Sequence, residues 1–251
     1  MKHPIAFVGA GPGDPELLTL KAHRLLTECD VCVWAGSLIH PKILDALPAH
    51  AVQHDSAPLH LAQIVDLLRD GYERGLKVVR LHTGEPSVYG AIAEQMDLLD
   101  NAGIPYVQVP GISSFQAAAA TLQVELTAPE VSQVVMLARV AGRTPVPADQ
   151  ELEKLATTRS TLCLYLSTPQ LASLCKRLIP FYGPECPAAL VYKASWPDER
   201  VFRGNLNTLP AQLEGQGIGA TALILVGHAL QRPLAVASRL YAADFVHGAR
   251  P

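Results

Sequence analysis

Val78–Gly90 reads VVRLHTGEPSVYG, and its reading decides the fold. Val78, Val79 and Leu81 form a short apolar run that closes at His82. Thr83-Gly84-Glu85-Pro86 breaks the run and leads into a helix-like stretch, Ser87–Asp100. The pattern is a strand, a tight turn and a helix start. In an open parallel sheet the carboxyl end of a strand is where ligands bind. Gly84 lets the backbone approach a ligand closely. Glu85 is an acceptor at a loop tip, suited to hydroxyls or an amine. Taken alone, the stretch reads first as an ordinary turn with a solvated Glu, and the rest of the chain changes that ranking.

Upstream, Ile5–Val8 is a strand followed by Gly9-Ala10-Gly11-Pro12-Gly13-Asp14-Pro15. Asp14 is a natural N-cap with Pro15 at the first helical position, predicting a helix to about Glu28. Val31–Trp34 is the second strand and ends in Ala35-Gly36-Ser37. A short helix over Pro41–Leu47, a third strand near Ala51–His54 and an amphipathic helix over Leu59–Tyr72 precede the opening stretch. Tyr106–Val109 is a fifth strand. This alternation predicts a parallel sheet with helices on both faces.

Pro110-Gly111-Ile112-Ser113-Ser114 marks a boundary between an N-terminal α/β domain, residues 1–112, and a second α/β domain, residues 113–251. Ser113 and Ser114 also suit an N-cap for the Ala-rich helix Phe115–Leu122. Strands are expected near Val134–Ala138, Thr161–Leu166, Ala188–Lys193, Arg200–Arg203 and Thr221–Val226. Helices lie between them, near Gln150–Ala156, Pro169–Leu178 and Leu209–Gly215. Arg139–Pro147 (RVAGRTPVP) is an irregular loop with two arginines. The tail after Gly227 fits no single pattern.

A chain of 251 residues, 49% apolar and 17% charged, can bury a large core in one or two domains. A net charge of −3 argues against nucleic acid as the partner. Met1-Lys2-His3-Pro4 runs straight into a strand, so a cytoplasmic protein without a signal peptide is expected. No apolar run reaches membrane-spanning length, so no membrane partner is expected. The five cysteines fit no disulfide framework. Cys29-Asp30-Val31-Cys32 lacks a second ligand pair, and buried thiols at a helix–strand junction explain it better than a metal.

Gly9–Asp14 fits the dinucleotide fingerprint poorly, because Asp14 stands where the last Gly belongs. The second strand also ends without the carboxylate that would hold a ribose. A phosphate-gripping G-x-x-x-x-G-K-[ST] loop and a G-x-S-x-G elbow are both absent. His82 has no nucleophile beside it and reads either as a hydrogen-bonded histidine at a strand end or as a contact to a ligand. What remains is a set of small-residue turns at strand ends, able to grip a neutral or zwitterionic ligand by backbone groups.

These residues resemble the tetrapyrrole (corrin/porphyrin) methylases, which use S-adenosylmethionine. VGAGPGDPELLTLKA is similar to the family's opening signature, RLHTGEPSVYG to its cofactor loop, PGISSF to its domain junction and TALILVG to its last strand. Asp is commoner in the family where Glu85 stands, and Pro where Thr221 stands. VWAGSLI, LTAPEVSQ, GRTPVP and the terminal SRLYAADFVHG resemble a branch that methylates a precorrin in cobalamin synthesis.

The resemblance implies two α/β domains, a bent cofactor in the cleft between them, and a homodimer. It implies a cofactor set of Pro12, Gly84, Glu85, Val88, Tyr89, Gly90, Ser113, Ser114, Leu166, Ala194, Thr221 and Ala222. On the substrate side stand Ser37, His82, Arg139 and Arg143. Arg80, Lys193 and Arg203 are further candidates for a polyanionic tetrapyrrole, since arginine matches carboxylates bidentately. Methyl transfer from a sulfonium to an electron-rich ring carbon needs no activated side chain, and in-line positioning can supply roughly 7–11 kcal/mol. Two other readings stay open. One is a sibling methylase acting at another ring position, on ribosomal RNA or on diphthamide. The other is a non-catalytic module that holds S-adenosylmethionine or a corrinoid.

Overall fold

The computed structural model describes residues 2–142 and 144–233. By contact the chain divides into two units. One is Met1–Ala117 with Lys193–Asp198, and the other is Ala118–Tyr192 with the remainder. The segment Lys193–Asp198 thus returns to the first unit.

The first unit holds five parallel strands, β1 (Ile5–Gly9), β2 (Val31–Trp34), β3 (Val52–Asp55), β4 (Val78–His82) and β5 (Tyr106–Val109), in the order β3-β2-β4-β1-β5. Every residue of β1 and of β4 is buried, as expected of central strands covered on both faces. The helices are α1 (Leu20–Glu28), α2 (Pro41–Leu44), α3 (Leu61–Glu73) and α4 (Ala93–Asn101), and α5 (Ser114–Leu122) follows β5. Ala22, Leu26 and Ile43 of α1 and α2 pack on Ala6, Val8, Val79 and Leu81. Ile64, Val65 and Leu68 of α3 and Leu99 of α4 pack with Ile5, Phe7, Val31 and Val78. The connections leaving the adjacent strands β1 and β4 therefore run over opposite faces. Their carboxyl ends form the switch point at which open α/β sheets bind ligands.

Two helix starts differ from the sequence expectation. Pro15–Leu17 is a single 3-10 turn capped by Asp14, Leu18 is extended, and α1 starts afresh with the Thr19 hydroxyl accepting from Ala22 N. The second cap wins because Thr19 meets a free N–H one turn ahead. α4 begins at Ala93 and not at Ser87, because Tyr89 (φ +57°) and Ala91 (φ +50°) are left-handed and cannot continue a right-handed helix.

The second unit holds β6 (Val135–Arg139), β7 (Thr161–Tyr165), β8 (Pro187–Tyr192), β9 (Arg200–Asn205) and β10 (Ala222–Val226), in the order β6-β7-β10-β8-β9. β6 and β7 are parallel and the other pairs antiparallel, so the sheet is mixed. The helices α6 (Leu152–Ala156), α7 (Leu171–Tyr182) and α8 (Leu209–Gln212) complete it. Leu162, Leu164, Leu174, Leu178, Leu190 and Ile224 form its core. Cys29 and Cys32 are buried thiols, and burial raises the Cys29 thiol to about 11 and that of Cys32 further. Among the described residues no helix is long and apolar enough to cross a membrane.

Candidate active site

Four glycine backbones interlock at the carboxyl ends of β1, β4 and β5. Gly84 N donates to Gly11 O at 2.8 Å and Gly11 N donates back to Gly84 O at 3.2 Å. A Cβ on Gly9 would lie 2.5 Å from Gly111 N, and one on Gly111 would lie 2.1 Å from Gly84 O. No other residue type fits at either position. Gly84 is different. It sits at φ +59°, yet a Cβ there would meet nothing nearer than Ile112 O and Ser113 Cα, both at 3.9 Å. The space above Gly84 is a small cradle bordered by the Ile112–Ser114 backbone, and among the described residues no side chain lies nearer than that backbone.

Glu85 does not project as a free loop-tip acceptor. Its Oε1 accepts from Ser87 N at 2.9 Å and from Gln108 Nε2 at 3.3 Å, and its Oε2 accepts from Gly111 N at 2.9 Å. Burial pushes the carboxyl up, but donation from Ser87, Gly111 and Gln108 outweighs it and the net displacement is downward. The carboxylate therefore ties the turn after β4 to the turn after β5. The extra methylene relative to Asp provides that reach. Beyond it, Val88 is half-buried and Tyr89 is 45% exposed. A Cβ at Gly90 would strike Pro86 O at 2.0 Å. Ser113 is buried, and its carbonyl accepts from Gln116 N and Ala117 N as α5 begins at Ser114.

Arg80 is not available to a substrate. It is buried, its Nε donates to Gln95 Oε1 at 2.9 Å, and its Nη1 donates to Val33 O at 3.2 Å and Ser56 Oγ at 3.0 Å. Two residues along the same strand face, His82 is buried and stacks on Phe7 with ring centroids 6.1 Å apart. Its Nε2 is the one buried side-chain nitrogen or oxygen without a hydrogen-bond partner among the described residues, so it is not a satisfied strand-end histidine. Burial, aided by the Arg80 charge, lowers its pKa to about 3. It is a neutral imidazole at any physiological pH. Ser37 lies in the 3-10 turn Gly36–Leu38 that follows β2.

Sequence reasoning missed Trp196. Its Nε1 donates to Pro12 O at 2.8 Å, and its ring fills the space that a Cβ on Gly13 would enter. Ser195 Oγ accepts from Asp14 N at 3.0 Å. These bonds seat Lys193–Asp198, with buried Ala194, on the turn after β1. A lone Trp between Ser195 and Pro197 in a polar stretch was the available signal. Lys193 donates to Asp198 at 2.6 Å and lies over the Trp196 ring, so its charge is already engaged.

In the second unit the expected residues gather at one end of the sheet. Arg139 pairs with Tyr165, Ala222 pairs with Tyr192, and Leu166 lies two residues beyond the Leu164–Ile224 pair. Leu166 (φ +54°) and Thr221 (φ +71°) are both left-handed without being glycine, and Leu166 is 70% exposed. Such strain persists where the surrounding structure enforces it, and it concentrates at ligand sites. Arg139 donates to Thr144 O at 3.1 Å and Pro145 O at 2.7 Å, closing its own loop. Arg203 donates to Leu122 O at 2.9 Å. Arg143 and the SRLYAADFVHG tail lie outside the described residues.

Among the described residues these turns offer backbone donors and acceptors and one neutral imidazole, with no nucleophile hydrogen-bonded to a base. Among the described residues no three His, Cys, Asp or Glu side chains gather as metal ligands. Such a site binds and aligns. The family model for Tetrapyrrole (Corrin/Porphyrin) Methylases matches residues 4–210. The chain belongs to this family. A cobalt-precorrin-4 C(11)-methyltransferase of Methanocaldococcus jannaschii is 45% identical over 244 residues, covering 97% of this chain and 94% of that one. A precorrin-4 C(11)-methyltransferase of Pseudomonas aeruginosa is 44% identical, covering 98% of each. Among solved structures, a cobalt precorrin-4 methyltransferase described as a cobalamin biosynthetic enzyme superposes with a TM-score of 0.88 at 40% identity, covering 91% of this chain and 96% of that one. A Thermus thermophilus uroporphyrin-III C-methyltransferase complexed with S-adenosylhomocysteine gives 0.75 at 28% identity, covering 91% and 99%. The tetrapyrrole methylase fold expected from the strand–helix alternation and the quoted motifs is thus the fold of this chain.

Proposed function

We propose that this methylase transfers a methyl group from S-adenosylmethionine to C11 of precorrin-4, or of its cobalt form, in cobalamin synthesis. One observation carries the reading: relatives named for that reaction are 44–45% identical over nearly the full length of both chains. The residues fit the cofactor, since the cradle above Gly84 is a gap that a side chain would fill and the turns around it present backbone groups. When bound, S-adenosylmethionine supplies an electrophilic methyl on a sulfonium.

The proposed binding set is Pro12, Gly84, Val88, Tyr89, Gly90, Ser113, Ser114 and Ala194 from the first unit, with Leu166, Thr221 and Ala222 from the second. Glu85 acts by holding the Gly111 turn, because its carboxylate oxygens are already engaged. Backbone carbonyls suit a sulfonium that loses its charge during transfer better than a tight carboxylate does. His82, Ser37, Arg139 and Arg143 are proposed to meet the tetrapyrrole, His82 as a neutral hydrogen-bonding group and the arginines as partners for carboxylate arms. We further place the protein in the cytoplasm, on its five unpaired cysteines, and as a homodimer, on the family resemblance. Mass spectrometry of purified protein incubated with S-adenosylmethionine and precorrin-4 tests the function. One added methyl supports it, and unchanged tetrapyrrole opposes it.

A further inference from the structure

Arg80 is a buried cation, and among the described residues no carboxylate pairs with it. Burying such a charge is unfavourable unless it is paired and hydrogen-bonded, and here three neutral acceptors stand where a carboxylate would. Its hydrogen bonds lead to a second anomaly. Gln95, also buried, receives Arg80 Nε on its Oε1 at 2.9 Å and donates its Nε2 to Ala91 O at 2.9 Å. On the other side Arg80 holds Val33 O and Ser56 Oγ, and Ser56 Oγ in turn donates to Trp34 O at 2.8 Å. One polar chain therefore runs from the ends of β2 and β3, through β4 and α4, to Ala91. There it meets the loop in which Tyr89 and Ala91 are both left-handed around Gly90. Non-glycine residues stay in that conformation only where neighbours enforce it. Gln95 is fixed by Arg80, sits on the first turn of α4 and bonds the carbonyl of the strained residue.

We propose that Arg80 and Gln95 are positioning residues: through the Ala91 carbonyl they hold the Tyr89–Ala91 loop in the left-handed form that meets the cofactor. The inference rests on the reading of residues 84–90 as a cofactor loop. It explains the buried Arg80 without a carboxylate. A carboxylate in the place of Gln95 could pair with Arg80, but as an acceptor it could not donate to Ala91.

The test uses S-adenosylhomocysteine binding by calorimetry, with KM for S-adenosylmethionine and kcat measured in parallel. Gln95→Leu keeps the side-chain volume and removes both bonds. It is expected to weaken S-adenosylhomocysteine about tenfold and raise KM for S-adenosylmethionine similarly, with kcat at saturation little changed. Adding Ala91→Gly, which takes the left-handed form without strain, is expected to recover most of the loss. A generic packing defect at Gln95 would not be repaired from Ala91. Should Gln95→Leu fail to fold, Arg80→Lys serves: a lysine cannot span Gln95, Val33 and Ser56 together, and the same recovery by Ala91→Gly is expected. Wild-type affinity in the single variant, or a loss that Ala91→Gly leaves in place, overturns the inference. A wild-type protein that binds no S-adenosylhomocysteine overturns the proposed function itself.

Discussion

Glu85 Oε2 accepts a hydrogen bond from Gly111 N at 2.9 Å, which couples the turn after β4 to the turn after β5. Glu85→Gln keeps the length but turns an NH2 group toward backbone donors, and should cost about 1–2 kcal/mol at pH 7. The Glu85 carboxyl is held below its ordinary range. Its contribution is therefore present above the unfolded carboxyl pKa and lost as pH falls through the lower folded value. Urea unfolding of both proteins should show the gap at pH 7 shrinking as the pH falls through the carboxylate range. A gap of constant size contradicts the assignment.

Gly111 and Gly84 should respond differently to the same change. Gly111→Ala forces a Cβ to 2.1 Å from Gly84 O and should lower stability by about 3 kcal/mol or more. Gly84→Ala has open space and meets only left-handed strain, about 1–2 kcal/mol. Gly84→Ala should nonetheless weaken S-adenosylhomocysteine, and Gly84→Val should abolish its binding while the protein stays folded. Thermal melts beside calorimetry separate the two effects. Equal destabilisation by Gly111→Ala and Gly84→Ala contradicts the geometry.

His82 should not titrate near neutrality. Burial and Arg80 lower its pKa from 6.5 to about 3. Between those values the unfolded chain takes a proton that the folded one refuses. The stability His82 allows is therefore complete above about pH 6.5 and falls, on acidification, by at most about 1.4 kcal/mol per pH unit. His82→Phe keeps the ring against Phe7, removes the unpartnered nitrogen and should melt no lower than wild type at pH 7. Its advantage should widen as pH falls below 6.5. A His82 imidazole resonance, assigned by its absence in His82→Phe, that titrates near 6.5 in the wild type contradicts this.

Arg143→Ala should raise KM for the tetrapyrrole by the equivalent of about 1.5–3 kcal/mol, the loss of a charge-assisted hydrogen bond. Affinity for S-adenosylhomocysteine should stay close to wild type, and Arg143→Lys should recover only part of the loss. Unchanged KM, or an equal loss of cofactor affinity, removes the arginine loop as the substrate clamp.

The alternation of strands and helices was legible because its signals are local: the apolar runs Val31–Trp34 and Tyr106–Val109 are strands with those very bounds. The turns at strand ends were legible for the same reason. What escaped depends on partners far along the chain. Glu85 looked like a free acceptor because Gly111 is 26 residues away. Arg80 looked like a substrate cation because nothing in VVRLH announces Gln95 or Ser56. The start of α4 was misplaced because Tyr89 and Ala91 carry no glycine to mark the left-handed turn. Trp196 reaches the Pro12 carbonyl across 184 positions, and no periodicity encodes that.

The central claim is methyl transfer to one ring carbon, and carbon-13 NMR tests it most directly. The protein is incubated with precorrin-4 and S-adenosylmethionine carrying a labelled methyl. The expected result is one labelled methyl bonded to C11, with S-adenosylhomocysteine formed in equal amount. Label at another ring position, or S-adenosylmethionine bound but unconsumed, contradicts the claim.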